Sequence, residues 1–203
     1  MGYLFIIPAR DEPVALILRR GPTDWYHLIQ WDTRRDTFTH GAWMKGRIYE
    51  EKCDLSTDGR LFIYVVRKMN SRDAGFTHAW TAISRPPWLH ALVVWPQGTT
   101  YGGGGRFIGP QTLWGDRRTE THADYPLPDR LKFLMDSPKP EPRETKSIVP
   151  DADWSGEDQA GHVIYTRGYQ LFRRIKRRDV LVADFADLKP DPAPPPEWAT
   201  RPL

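Results

Sequence analysis

A short turn-and-strand pattern occurs twice in this chain, and it constrains the fold more than any other feature. Asp54-Leu55-Ser56-Thr57-Asp58-Gly59 runs straight into Arg60-Leu61-Phe62-Ile63-Tyr64-Val65-Val66. Ninety-nine residues on, Asp153-Trp154-Ser155-Gly156-Glu157-Asp158 leads, after a two-residue insertion before Gly161, into His162-Val163-Ile164-Tyr165. Both read as Asp, apolar, Ser, acidic turn, Gly, then a strand ending in Tyr. Asp and Ser side chains bond nearby backbone groups, and glycine supplies the positive φ that a tight turn requires. A repeated turn before a strand predicts an array of small sheets.

The rest of the chain agrees with an all-β reading. Short strand-like runs are expected at Tyr3–Pro8, Val14–Arg20, Trp25–Trp31, Thr37–Met44, Arg60–Lys68, Thr77–Arg85 and Leu89–Trp95. Arg106–Ile108 and Thr112–Trp114 follow, and His162–Thr166, Tyr169–Ile175 and Val180–Phe185 form a final meander with turns at Gly168 and Lys176–Asp179. Most are bounded by turn residues and rich in β-branched or aromatic side chains. No window has the periodicity of a long amphipathic helix, and Leu131–Met135 reads as one helical turn or a strand. Residues 1–189 are expected to form a single all-β domain, with an exposed Pro-rich loop at 136–150. Residues 190–203 read as an extended Pro-rich tail, with Trp198 docking it.

Here a resemblance enters. Asp-Leu-Ser-Thr-Asp-Gly-Arg-Leu-Phe-Ile-Tyr, residues 54–64, resembles the blade-opening motif of WD-repeat-like β-propellers of the Tol-system type. There an Asp-X-Ser-Pro-Asp-Gly turn precedes the strand. Thr57 stands where that family has Pro, and the second copy, at 153–165, is degraded. The resemblance covers two short windows. It implies a propeller-like array of about four or five blades, irregular or incomplete because residues 116–150 hold little that reads as strand. It implies nothing about a ligand. A β-sandwich is the alternative.

Composition narrows function mainly by exclusion. A net charge of +3 with 27% charged residues falls short of a nucleic-acid signature by itself. The single Cys53 excludes an intrachain disulfide framework and suits a reducing compartment, so a cytoplasmic location is expected. No apolar run is long enough for a membrane-spanning helix, and the N-terminus lacks the basic segment of a signal peptide. Nine Trp against eight Phe suggest inter-sheet packing or an aromatic binding surface. The six histidines lack metal-ligand spacing, so neither a metal nor a cofactor is expected. No Gly-X-Ser-X-Gly elbow occurs, and no residue is assigned a catalytic role.

Two segments are candidates for binding. Tyr101-Gly102-Gly103-Gly104-Gly105-Arg106 could turn backbone N–H groups toward an anion, with Arg106 as counter-charge. Tyr101, Gly103, Gly104 and Arg106 are its candidate ligand residues; a sharply bent strand entry is the plainer reading. Arg173, Arg174, Lys176, Arg177 and Arg178 form the strongest basic run, a candidate phosphate-binding surface or simply the charged edge of a soluble strand. The leading expectation is a non-catalytic scaffold whose partner is another protein. Carbohydrate or small-anion binding at the glycine loop, a propeller-type hydrolase or lyase, and nucleic-acid binding through residues 173–178 are the alternatives.

Overall fold

The computed structural model describes residues 2–21, 23–68, 77–115, 120–134 and 148–203. Sheet 1 is an antiparallel meander of β1 (Tyr3–Pro8), β2 (Val14–Arg20), β3 (Trp25–Asp32) and β4 (Thr37–Lys45). Sheet 2 begins with a broken strand. β5 (Arg47–Ile48) and β6 (Asp54–Leu55), separated by a 3₁₀ turn at Glu50–Lys52, both pair with β7 (Phe62–Arg67), and β8 (Ala79–Ser84) and β9 (Val93–Pro96) follow. Sheet 3 comprises β10 (Arg106–Phe107), β11 (Thr112–Trp114) and β12 (Lys132–Leu134), the last parallel to β11. Sheet 4 is a second antiparallel meander of β13 (Trp154–Glu157), β14 (Val163–Arg167), β15 (Gln170–Ile175) and β16 (Arg178–Asp184). The molecule is an all-β array of small sheets, each built from consecutive strands.

The inner strands of sheet 1 are largely buried because both of their faces are covered. Leu16, Leu18 and Leu28 face sheet 2 and pack on Ile48, Phe62, Tyr64 and Val66. Their neighbours Ala15, Ile17 and Ile29, with Leu4, Ile6 and Trp31, face sheet 4 and meet Ile164, Leu171 and Phe185. Sheet 2 repeats the arrangement, turning Leu61, Ile63, Ile83 and Val93 toward Phe107, Leu113 and Leu131 of sheet 3. The packing order is therefore 4-1-2-3. A two-sheet sandwich would leave each sheet one solvent face, whereas the inner strands of sheets 1 and 2 are covered on both. Each fully buried aliphatic or aromatic side chain contributes about 1.5–3 kcal/mol, so these three interfaces carry the fold.

The turn that joins the first two strands recurs in every sheet. Ala9 N donates to Val14 O, Ser56 N to Leu61 O, Ile108 N to Thr112 O and Asp158 N to His162 O, at 2.8–2.9 Å. Their spacing is about 50 residues, at the upper end of ordinary repeat lengths. At Ser56 the hydroxyl accepts from Arg60 N and Leu61 N and donates to Asp58. At Asp158 the carboxylate accepts from Ala160 N and His162 N instead. Gly59 and Gly161 close the two turns at φ 74° and 77°. This corrects the expected alignment of the copies. Trp154–Glu157 is a strand, the turn begins at Asp158, and Asp158 rather than Ser155 is the counterpart of Ser56.

The turns also bind one another. Asp11 N donates to Thr57 O at 2.8 Å. Gln159 donates to the carbonyls of Ala9 and Val14 and accepts from Thr33. Sheets 4, 1 and 2 are thus keyed together at one end. The Pro-rich loop expected at 136–150 falls outside the described residues except for 148–150. The tail is not extended throughout, since Glu197–Thr200 forms a helical turn. It docks through Leu203, packed on the core between sheets 2 and 3, and through Arg85, whose guanidinium donates to the carbonyls of Arg201 and Pro202. Trp198 stays exposed.

Candidate functional site

Stacking the sheets brings the first strands of sheets 1, 3 and 4 to a common cavity of about 330 Å³. Phe5 and Ile6 come from β1, Trp154 and Ser155 from β13, and Arg106 opens β10. Arg10, in the turn after β1, donates to the Phe107 carbonyl and lies 3.9 Å from Asp54. Asp54, buried on β6, accepts from Phe107 N at 2.7 Å. One carboxylate therefore serves three sheets: it neutralises Arg10 and fixes the backbone beside Arg106.

Arg106 is placed differently from Arg10. Its Nε is buried and has no hydrogen-bond partner, and no ion pair of its guanidinium occurs among the described residues. Burial lowers its pKa below the usual arginine value; nearby Asp54 opposes this and Arg10 adds to it. Phe5 and Trp154, in edge contact at 6.5 Å, form the aromatic wall. The same wall bounds a second cavity of about 400 Å³, which also holds Tyr3, Arg47, Glu50 and Lys52. There the buried Glu50 carboxylate accepts from Tyr3 at 2.7 Å, from Tyr26 at 2.9 Å and from Arg47 at 3.4 Å. Burial and the Glu50 charge raise the pKa of both tyrosines. Glu50 is thereby held as a structural link between β1, β3 and the broken strand of sheet 2.

The glycine loop owes its composition to close packing. A Cβ on Gly103 would lie 2.2 Å from the Gln97 side chain and 2.5 Å from Thr81 Oγ1, and one on Gly104 would lie 2.3 Å from the Lys52 carbonyl. Both glycines have φ near 80°. The N–H of Gly104 is already donated to Thr81, and Lys52 grips the carbonyls of Thr100 and Gly102. Tyr101 projects into solvent, 95% exposed. Of the four residues expected there, only Arg106 lines the cavity of about 330 Å³.

The basic run also separates. Arg173 is buried, donating to both Asp36 oxygens at 2.7 and 2.9 Å and to Thr33 O at 2.7 Å, with Nε 3.1 Å from Asp158. Arg174 pairs with Asp179 at 2.7 Å on the surface. Lys176 and Arg177 occupy the two positive-φ positions of the β15–β16 turn, a type I′ geometry that matches the twist of a hairpin. Arg178 begins β16 opposite Ile175. The most buried of the five arginines and lysines is thus spent on folding.

Phe5, Arg10 and Trp154 escaped the sequence reading because they lie far from Arg106 in the chain. One signal was available: Arg10-Asp11-Glu12 separates two strongly apolar runs about one repeat length before Ser56. No protein-family model, curated protein or solved structure matches the chain. Among the described residues, no helix is long and apolar enough to cross a membrane.

Proposed function

We propose that the chain is a non-catalytic, propeller-type scaffold that binds another protein by adding a strand to β16. The observation that carries this reading is a mismatch between a strand's sequence and its position. Val180-Leu181-Val182-Ala183 is an unbroken apolar run, the pattern of a strand covered on both faces. β16 is instead the outermost strand of its sheet, with Val180 45% and Leu181 50% exposed. The equivalent strand of sheet 1, β4, turns Thr37, Thr39 and His40 outward. A long apolar edge offers unpaired N–H and C=O groups together with side chains for alternate pockets, the elements of strand addition.

The propeller part of the proposal is supported by the repeating turn, by consecutive strands within each sheet, and by the convergence of three first strands on one cavity. A cytoplasmic location belongs to the same proposal and rests on the single cysteine.

The test is a pull-down of the tagged chain from its native lysate, with light scattering on the eluate. A stoichiometric second protein is expected from the wild type and is expected to be lost with Val180→Lys or Leu181→Lys, at unchanged melting temperature. A clean monomer, or a partner that both variants retain, would overturn the reading.

A further inference from the structure

The cavity between the first strands of sheets 1, 3 and 4 is lined by an arginine whose buried Nε makes no hydrogen bond among the described residues. A buried donor without a partner costs about 1–3 kcal/mol, more when it is charged, and native structures rarely leave one unanswered. Arg10 is satisfied by the Phe107 carbonyl and neutralised by Asp54. Asp158, also at the cavity wall, is committed to Arg173 and to its own turn. Arg106 is left, among the described residues, with a buried Nε that makes no hydrogen bond and with Asp54 only as a neighbouring charge, beside Phe5 and Trp154.

We infer that this cavity binds a small monocarboxylate with an apolar body, the carboxylate seated on Arg106 and the body against Phe5 and Trp154. Three features select that class. The planar guanidinium matches a carboxylate through two parallel N–H···O bonds. One arginine without an ion pair among the described residues, with exposed Glu157 at the rim, favours one negative charge over the two of a phosphate. The volume of about 330 Å³ lies at the small end of ligand pockets and has room for one ring. The assignment is independent of strand addition at β16, which lies on the outer side of sheet 4.

Isothermal titration of the whole chain with benzoate, phenylacetate, benzamide and inorganic phosphate tests it. At least one of the two acids is expected to bind saturably. Benzamide, which keeps the shape and loses the charge, is expected to bind about tenfold more weakly or worse, the loss of one charge-assisted hydrogen bond. Phosphate is expected to be weaker than either acid that binds. Arg106→Gln should weaken the acid by about tenfold or more, with Arg106→Lys recovering part of it. Glu157→Gln should strengthen binding, since it removes an exposed negative charge at the cavity rim. Binding of neither acid, equal binding of benzamide or phosphate, or an Arg106→Gln protein that binds normally would each overturn the assignment. If Arg106→Gln does not fold, the benzamide comparison and Glu157→Gln decide it, and an unchanged affinity in Glu157→Gln then counts against it.

Discussion

Two buried arginines cross the seam between sheets 1 and 4 in opposite directions. Arg19, on β2, donates to the carbonyls of Phe185, Ala186 and Leu188, and its guanidinium lies 4.2 Å from the Tyr169 ring centroid. Arg173, on β15, reaches back to Asp36, Thr33 O and Asp158, and lies over Trp31 at 5.3 Å. The first charge is solvated by neutral dipoles and ring faces, and burial lowers its pKa. The second is answered by two carboxylates. The same residue type on one seam thus plays two parts. Removing Arg19 orphans carbonyls, whereas removing Arg173 takes the guanidinium from the buried Asp158 carboxylate and leaves it to its own turn and the His162 ring.

The contrast predicts unequal costs. Arg173→Met should lower the unfolding free energy by about 3–5 kcal/mol, the usual penalty for breaking one side of a buried ion pair. Arg19→Met should lose about 1–3 kcal/mol, the cost of unpaired neutral acceptors. Urea midpoints measure both, and equal losses would break the comparison.

Acid should act on the Arg19 side. His27 stacks on Trp43 at 4.1 Å, its Nδ1 hydrogen-bonds Ala42 O, and its Nε2 meets His40 Nδ1 at 2.9 Å. Burial lowers its pKa to about 4; the Ala42 carbonyl opposes this, while His40 and Arg19 add to it. An unfolded histidine takes its proton near pH 6.5. The neutral buried form therefore contributes fully above that pH, and the contribution is lost as pH falls toward 4. The total is about 3 kcal/mol. Unfolding at pH 7 and 4.5 should show this slope in the wild type and a shallower one in His27→Gln.

Asp158→Ser sharpens the Arg173 arm. It installs the hydroxyl that Ser56 uses in its own turn, so the turn can persist while Arg173 loses one carboxylate. A loss of about 2 kcal/mol is expected, less than for Arg173→Met because Asp36 remains. The smallest effect belongs to Leu181→Lys, within about 0.5 kcal/mol in thermal melts, because the side chain is half in solvent already.

The strands legible in the sequence were those covered on both faces or strongly alternating. β1, β2 and β11 have the bounds expected from the sequence. β13 was hidden because Ser155 and Gly156 are turn formers by type. Gly156 is small there because a Cβ would lie 2.8 Å from the Trp154 ring. β5 and β6, two residues each, are too short to show a period. Arg106 could be picked from the glycine loop, but Arg10 and Trp154 reach it only through sheet packing, which local pattern does not encode. Arg173 and Arg174 look identical in the sequence. Only the alternation of β15 turns one inward to Asp36 and the other out to Asp179.

The packing order has a consequence for the order of synthesis. Sheet 1 is made first, and one of its faces is covered as soon as sheet 2 follows. Its other face, with Leu4, Ile6, Ile17, Ile29 and Trp31, finds its partners in Ile164, Leu171 and Phe185. That surface waits on the ribosome until Ile164, Leu171 and Phe185 have emerged. Contacts so distant in sequence close slowly and leave apolar strands open to wrong partners meanwhile. Between the synthesis of sheet 1 and that of sheet 4, the growing chain is vulnerable on this face.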